Sequence, residues 1–104
     1  MIRKKLEHQT QSAIIQYLTL KKVFFWRNNS GALKTERGGF IRFGAVGSPD
    51  IFVIKNGTIF GIEVKSSING KLSPNQIAFG GAFEKAGGIY LVAKSVGDII
   101  AYGL

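Results

Sequence analysis

The chain has 104 residues, enough for one domain spanning 1–104, and its 45% hydrophobic content with eight Phe can fill an ordinary core. It has no cysteine and one histidine, which excludes disulfides, thiolate nucleophiles and cysteine zinc sites and speaks against a histidine-rich one. A net charge of +8 and a pI of 10.1 point to a polyanionic partner, with nucleic acid first. No apolar run reaches membrane-spanning length, and no apolar stretch follows the basic N-terminus as a signal peptide requires, so a cytoplasmic protein without a membrane partner is expected.

In chain order, residues 5–20 (KLEHQTQSAIIQYLTL) predict a helix, with Leu6, Ala13, Ile14, Tyr17 and Leu18 at helical spacing. Glu7 falls in its first turn and, with Gln11, Ile14 and Leu18, on its apolar side. His8 reads as a surface residue. Residues 22–28 (KVFFWRN) are β-branched and aromatic and predict a strand, with Trp26 in the core. NNSG at 28–31 ends that strand. Residues 32–49 read as a glycine-rich basic loop with a short strand at 40–43 (FIRF).

The segment 47–66, GSPDIFVIKNGTIFGIEVKS, is the most informative. Asn56-Gly57 is a strong type I′ hairpin signal, because both central residues of that turn need positive φ. With those two in the loop, Lys55 faces Thr58 and the same register sets Asp50 opposite Glu63, on the face to which Lys65 also projects. Ile51, Val53, Phe60, Ile62 and Val64 take the other, apolar face. Two carboxylates this close repel each other unless a cation lies between them. A hard divalent cation with oxygen ligands removes that conflict, and magnesium keeps waters that phosphate oxygens can replace. The competing reading makes Asp50 a turn cap and Glu63–Lys65 a surface pair.

Residues 74–86 predict a second helix, with Ser73 as N-cap, Pro74 as first residue and Gly87-Gly88 as stop. Gln76 completes a capping box with Ser73. Residues 89–93 (IYLVA) predict a buried strand parallel to the one before the helix, and 96–102 a short last helix. The expected fold class is α/β, a mixed β-sheet flanked by helices.

Pro49-Asp50, then Glu63-Val64-Lys65, resembles the PD-(D/E)XK nuclease motif. Glu7, WRNNSG at 26–31, GSPD at 47–50, IEVKS at 62–66 and GKLSPNQ at 70–76, in that order, resemble its VRR-NUC branch over nearly the whole chain. The Val-Arg-Arg stretch that names the family has no literal match. The resemblance implies a restriction-endonuclease-like core and a Mg2+- or Mn2+-dependent DNA endonuclease that leaves a 5′-phosphate. It implies metal ligation by Asp50, Glu63 and the Val64 backbone carbonyl, with Glu7 reaching the metal directly or through water. It makes Lys65 the catalytic lysine and brings Gln76 to the site.

The stand-alone members resembled are homodimers that cut four-way (Holliday) junctions, so a homodimer on branched DNA is expected. Its compartment is then the cytoplasm of a bacterial or phage-infected cell, and no nucleotide cofactor is expected. Arg27, Asn28, Asn29, Ser30, Lys34, Arg37, Arg42 and Lys71 are candidate DNA contacts on charge and polarity. The alternatives are a flap or other DNA nuclease of the same superfamily, and a non-catalytic basic nucleic-acid-binding module.

Overall fold

The structure, a computed structural model, describes residues 2–28, 31–68 and 70–104, and of residues 31–34 and 40–43 it describes the backbone alone. The elements run α1 (Ile2–Leu20), β1 (Phe24–Arg27), β2 (Gly31–Lys34), β3 (Phe40–Phe43), β4 (Ile51–Lys55), β5 (Thr58–Val64), α2 (Pro74–Lys85), β6 (Ile89–Ala93) and α3 (Val96–Ile100). Among the described residues, no helix is long and apolar enough to cross a membrane.

The Asn56-Gly57 turn forms as its chemistry demands, with φ of 51° and 78° at its two central residues. It pairs Lys55 with Thr58 and Ile51 with Ile62, so the expected register holds along β4 and β5. β1 adds antiparallel to β4, and β6 adds parallel to β5 after the crossover through α2. The result is a mixed four-stranded sheet of order β1-β4-β5-β6.

One face of the sheet carries Ile51, Val53, Phe60, Ile62, Val64, Leu91 and Ala93. Ile14 and Leu18 of α1 and Ile99 of α3 close over it, all three fully buried. Burying each such side chain contributes about 1.5–3 kcal/mol. The opposite face holds a run of aromatics. Trp26 meets Phe52 at 5.3 Å between ring centroids, Phe52 meets Phe83 of α2 at 5.8 Å, and Phe79 meets Tyr90 at 6.3 Å. α2 covers the β5–β6 half of this face.

Three expectations change. Trp26 is not a core residue: it lies on the α2 side of the sheet, 41% exposed, because alternation gives the α1 side to Phe25 instead. The basic segment contains a second strand, β2, which pairs antiparallel with β3 in a separate two-stranded sheet, so the described residues form two sheets rather than one. Its turn is closed by Thr35, whose N–H donates to the Gly39 carbonyl at 2.8 Å and whose Oγ1 accepts from Gly39 N–H at 3.0 Å. Finally, α1 begins at Ile2, three residues before the expected start, so Glu7 is past its first turn.

Asn28, the residue after β1, ties that strand to the segment preceding β4. Asn28 Nδ2 donates to Ser48 Oγ at 2.7 Å and to the Pro49 carbonyl at 2.9 Å, and its N–H donates to the Asp50 carbonyl at 2.8 Å. Asn28 is thus a clamp on Ser48-Pro49-Asp50 and not a spare polar group. We expect Asn28→Ala to destabilise the protein by about 1–3 kcal/mol in urea denaturation, the cost of stranding partly buried partners. An unchanged midpoint would mean that Ser48 and Pro49 hold their places without it.

Candidate active site

Glu63 is carried at the end of β5 on the α2 side of the sheet and is only 4% exposed. A strand residue at that depth has few polar neighbours, and three groups reach it. Gln76 Nε2 donates to Glu63 Oε2 at 3.0 Å, and Lys65 Nζ lies 3.7 Å from the same oxygen. Asp50 is the third, close enough for its charge to act on Glu63.

Asp50 does not sit in a regular strand opposite Glu63 as the register alone implies. β4 begins one residue later, at Ile51. The Asp50 N–H turns toward β5 and donates to the Ile62 carbonyl at 3.0 Å, while its carbonyl turns toward β1 and accepts from Asn28. An ordinary strand residue sends both groups to the same neighbour. This departure re-aims the side chain, as irregular strand ends beside sites commonly do. Oδ2 then takes the place of a ladder carbonyl and accepts the Val64 N–H at 2.7 Å.

Gln76 serves two structures with one amide. Its Oε1 accepts from Ser73 N–H at 2.8 Å and its N–H donates to Ser73 Oγ at 3.2 Å, completing the capping box. Its Nε2 is left to hold Glu63. Glu7 reaches in from α1, on the other side of the sheet, and its Oε2 accepts the Ser66 N–H at 3.2 Å. That bond fixes the chain just after Lys65.

The electrostatics follow from crowding. Burial, then the charge of Asp50, raises the Glu63 carboxyl from 4.5 to about 8, while the Lys65 ammonium pulls the other way. Burial also raises Asp50, against its hydrogen bond from Val64 and the charge of Lys65. Glu7 adds negative potential at both. Among the described residues, no three acidic or histidine side chains converge on one point. The centre therefore brings together two carboxyls, Asp50 and Glu63, with Glu7 one step removed at Ser66. Two neighbouring carboxyl groups are oxygen donors of the kind a hard divalent cation takes.

The other expected contacts divide. Lys71 lines a cavity with Lys65 and Glu7, so it belongs to the site's surroundings. Arg27 pairs with Ile51, which places it on the α1 face of the sheet, opposite the face that carries Glu63. Arg37 lies in the exposed turn of the β2–β3 hairpin. Asn29 and Ser30 fall outside the described residues, as do the side chains of Lys34 and Arg42. Arg3 and Lys4, which also line the Lys71 cavity, were not among the expected contacts. Their signal was present: they precede Glu7 by four and three residues, one helical turn.

A scan against protein-family models finds no match, and a search of curated proteins finds none either. Among solved structures, the chain is similar to one described as a VRR_NUC domain. The two share 24% identity over 92% of this chain and 91% of that one, with a TM-score of 0.66. The chain therefore has the fold of a VRR_NUC domain, the architecture that its motifs led us to expect.

Raised carboxyl groups make stability depend on pH. Between 4.5 and about 8 the folded state keeps a proton on Glu63 that the unfolded state has released. Stability without added metal should then fall as pH rises through that window, and Asp50 adds in the same direction. We expect Glu63→Gln to raise the melting midpoint at pH 8 in EDTA by about 4–8 °C, the shift that about 1 kcal/mol gives in a domain this size. At pH 4.5 the two proteins should melt together. A wild type that grows more stable toward pH 8 would refute the assignment.

Proposed function

We propose that this chain is a metal-dependent DNA endonuclease of the VRR-NUC kind, one nuclease domain over residues 1–104. The observation that carries the reading is the meeting of Asp50, Glu63, Lys65 and Gln76 on one sheet face, with Glu63 buried and its nearest cation 3.7 Å away. Its support is the likeness in fold to a VRR_NUC domain and a net charge of +8. A sheet gains no stability from burying two like charges, so their placement calls for a positive partner.

A magnesium or manganese ion held by Asp50, Glu63 and the Val64 carbonyl, with Glu7 through water, would polarise an attacking water and neutralise phosphate oxygens. Gln76 holds the Glu63 carboxylate in place for that ion. Asp50 is held by the Val64 N–H, so neither carboxylate has to reorganise when substrate arrives. Lys65 stands beside them and takes up charge that develops on the phosphate. In-line attack of water on phosphorus breaks the bond to the 3′ oxygen and leaves a 5′-phosphate. Branched DNA, a four-way junction first, is the proposed substrate. Two coordinated cuts across a junction call for a homodimer with one site in each copy.

The proposal is tested by cleavage of a labelled four-way junction, a 5′ flap, a single strand and a plain duplex, each with magnesium, manganese or EDTA. We expect cutting only with metal, fastest on the junction, and at least about 10²-fold slower in Glu63→Ala and in Lys65→Ala, as loss of a preorganised charge usually costs. A flap cut faster than the junction would keep the nuclease and replace the substrate. No cutting of any DNA, with equal binding by all three proteins in EDTA, would leave only a binding module.

Glu63 must lose its proton to bind a cation, so metal binding should release protons and tighten with rising pH up to about 8. Titration calorimetry with magnesium in two buffers of different ionisation enthalpy reads the proton release. Binding without it, and with a flat pH profile, would place the cation away from Glu63.

A further inference from the structure

A cavity of about 260 Å³ opens beside the catalytic centre, lined by Arg3, Lys4 and Glu7 of α1, by Lys65, and by Gly70-Lys71. It holds four cations against one carboxylate. Lys65 is the member shared with the centre, where it pairs with Glu63. Among the described residues, Arg3, Lys4 and Lys71 make no ion pair within 4 Å, and Glu7 is engaged by the Ser66 N–H.

Two features make this a built recess and not a loose patch. The segment after β5 folds back on itself at Gly70: a Cβ there would overlap the Ser66 carbonyl oxygen and come within 2.8 Å of Ser66 N and 3.0 Å of Lys65 Cβ. Only glycine lets Lys71 approach the end of β5 so closely. Secondly, the first turn of α1 carries Arg3 and Lys4 and no acid. The helix dipole favours acids at that end and disfavours cations. Helix stability therefore does not explain the pair, and clustered cations with no anionic partner repel one another.

We infer that this cavity binds a non-scissile backbone phosphate of the nucleic acid, next to the one positioned for cleavage, with Arg3, Lys4 and Lys71 as its contacts. The inference rests on the nuclease reading for what lies at Lys65. A phosphate there fixes the strand's register against the catalytic centre without reading sequence. Arg3 supplies a planar fork of donors and the two lysines supply point charges. Glu7 joins the two places: one helix positions both the acid that faces the centre and the cations that hold the neighbouring phosphate.

The test is binding of fluorescent four-way junction and duplex DNA, both with unphosphorylated ends, in EDTA over a range of salt. The proteins are wild type, an Arg3→Ala/Lys4→Ala double variant, and a charge-matched Lys85→Ala/Lys94→Ala control from exposed sites elsewhere. Losing one phosphate contact should make the slope of log affinity against log salt shallower by about 0.9. We expect that change, with a several-fold loss of affinity, in the cavity variant only. Removing cations from the start of α1 does not threaten the helix, so equal melting midpoints should accompany it.

Equal losses in the two double variants would reduce the cavity to a share of overall charge and overturn the inference, as would no loss in either. The same measurement is repeated on duplex with terminal 5′-phosphates, and a loss confined to that DNA would overturn the inference too, in favour of an end-binding pocket. Since EDTA removes the cation, the result does not depend on cutting. Metal-dependent cleavage by the same wild-type protein reads the nuclease proposal separately.

Discussion

The burial of two neighbouring carboxyls, Asp50 and Glu63, is the constraint around which the rest of this structure is arranged. Both carboxyls are raised, Glu63 to about 8, chiefly because a sheet face withholds water from them. Each nearby group relieves part of that cost: the Val64 N–H for Asp50, Gln76 and Lys65 for Glu63. None of them neutralises the pair. A protein of net charge +8 that keeps two acids together in its most apolar hairpin has placed a small acidic centre inside a positive field. A divalent cation is drawn to such a centre, and a polyanion to the field around it.

Much of this was legible in the sequence because one turn determines it. Asn56-Gly57 admits little besides a type I′ hairpin, and that hairpin sets the face of every residue from Ile51 to Val64. The capping box of Ser73 and Gln76 was equally local, and it formed. What could not be read was the rest of the environment. Trp26 alternates with its neighbours whichever face is buried, so periodicity alone does not say which side α1 covers. β2 has only four residues and starts with glycine, and it gains its identity from pairing with β3. The twist at Asp50 depends on Asn28 and Val64, far apart in the chain. Charge marked Arg27 as a candidate contact but could not give its face, which the β1–β4 register sets with Ile51.

The sheet's α2 side divides its labour along the strands. Toward the C-terminal end of β5 it is polar, with Glu63, Lys65 and the re-aimed Asp50. Toward the other end it is aromatic, with Phe52, Trp26 and Phe24 in contact in sequence. α2 spans the boundary: Phe79 and Phe83 pack on the aromatic part while Gln76, one turn earlier, reaches the polar part. The same helix therefore anchors itself by dispersion and hydrophobic contact and delivers a hydrogen bond to the site. Its packing and its chemistry cannot be varied independently.

The single amide of Gln76 carries a thermodynamic consequence. One end of it closes the start of α2 and the other end holds a carboxyl whose protonation changes near neutral pH. An acceptor that becomes charged strengthens the bond from Nε2 and so holds the amide in the orientation that also caps the helix. Whatever ionises Glu63 must then steady the first turn of α2, and whatever steadies that turn must favour the ionised form by the same free energy. The helix terminus and the acid form one reciprocal element, through which occupancy of the site is felt as order in a neighbouring helix.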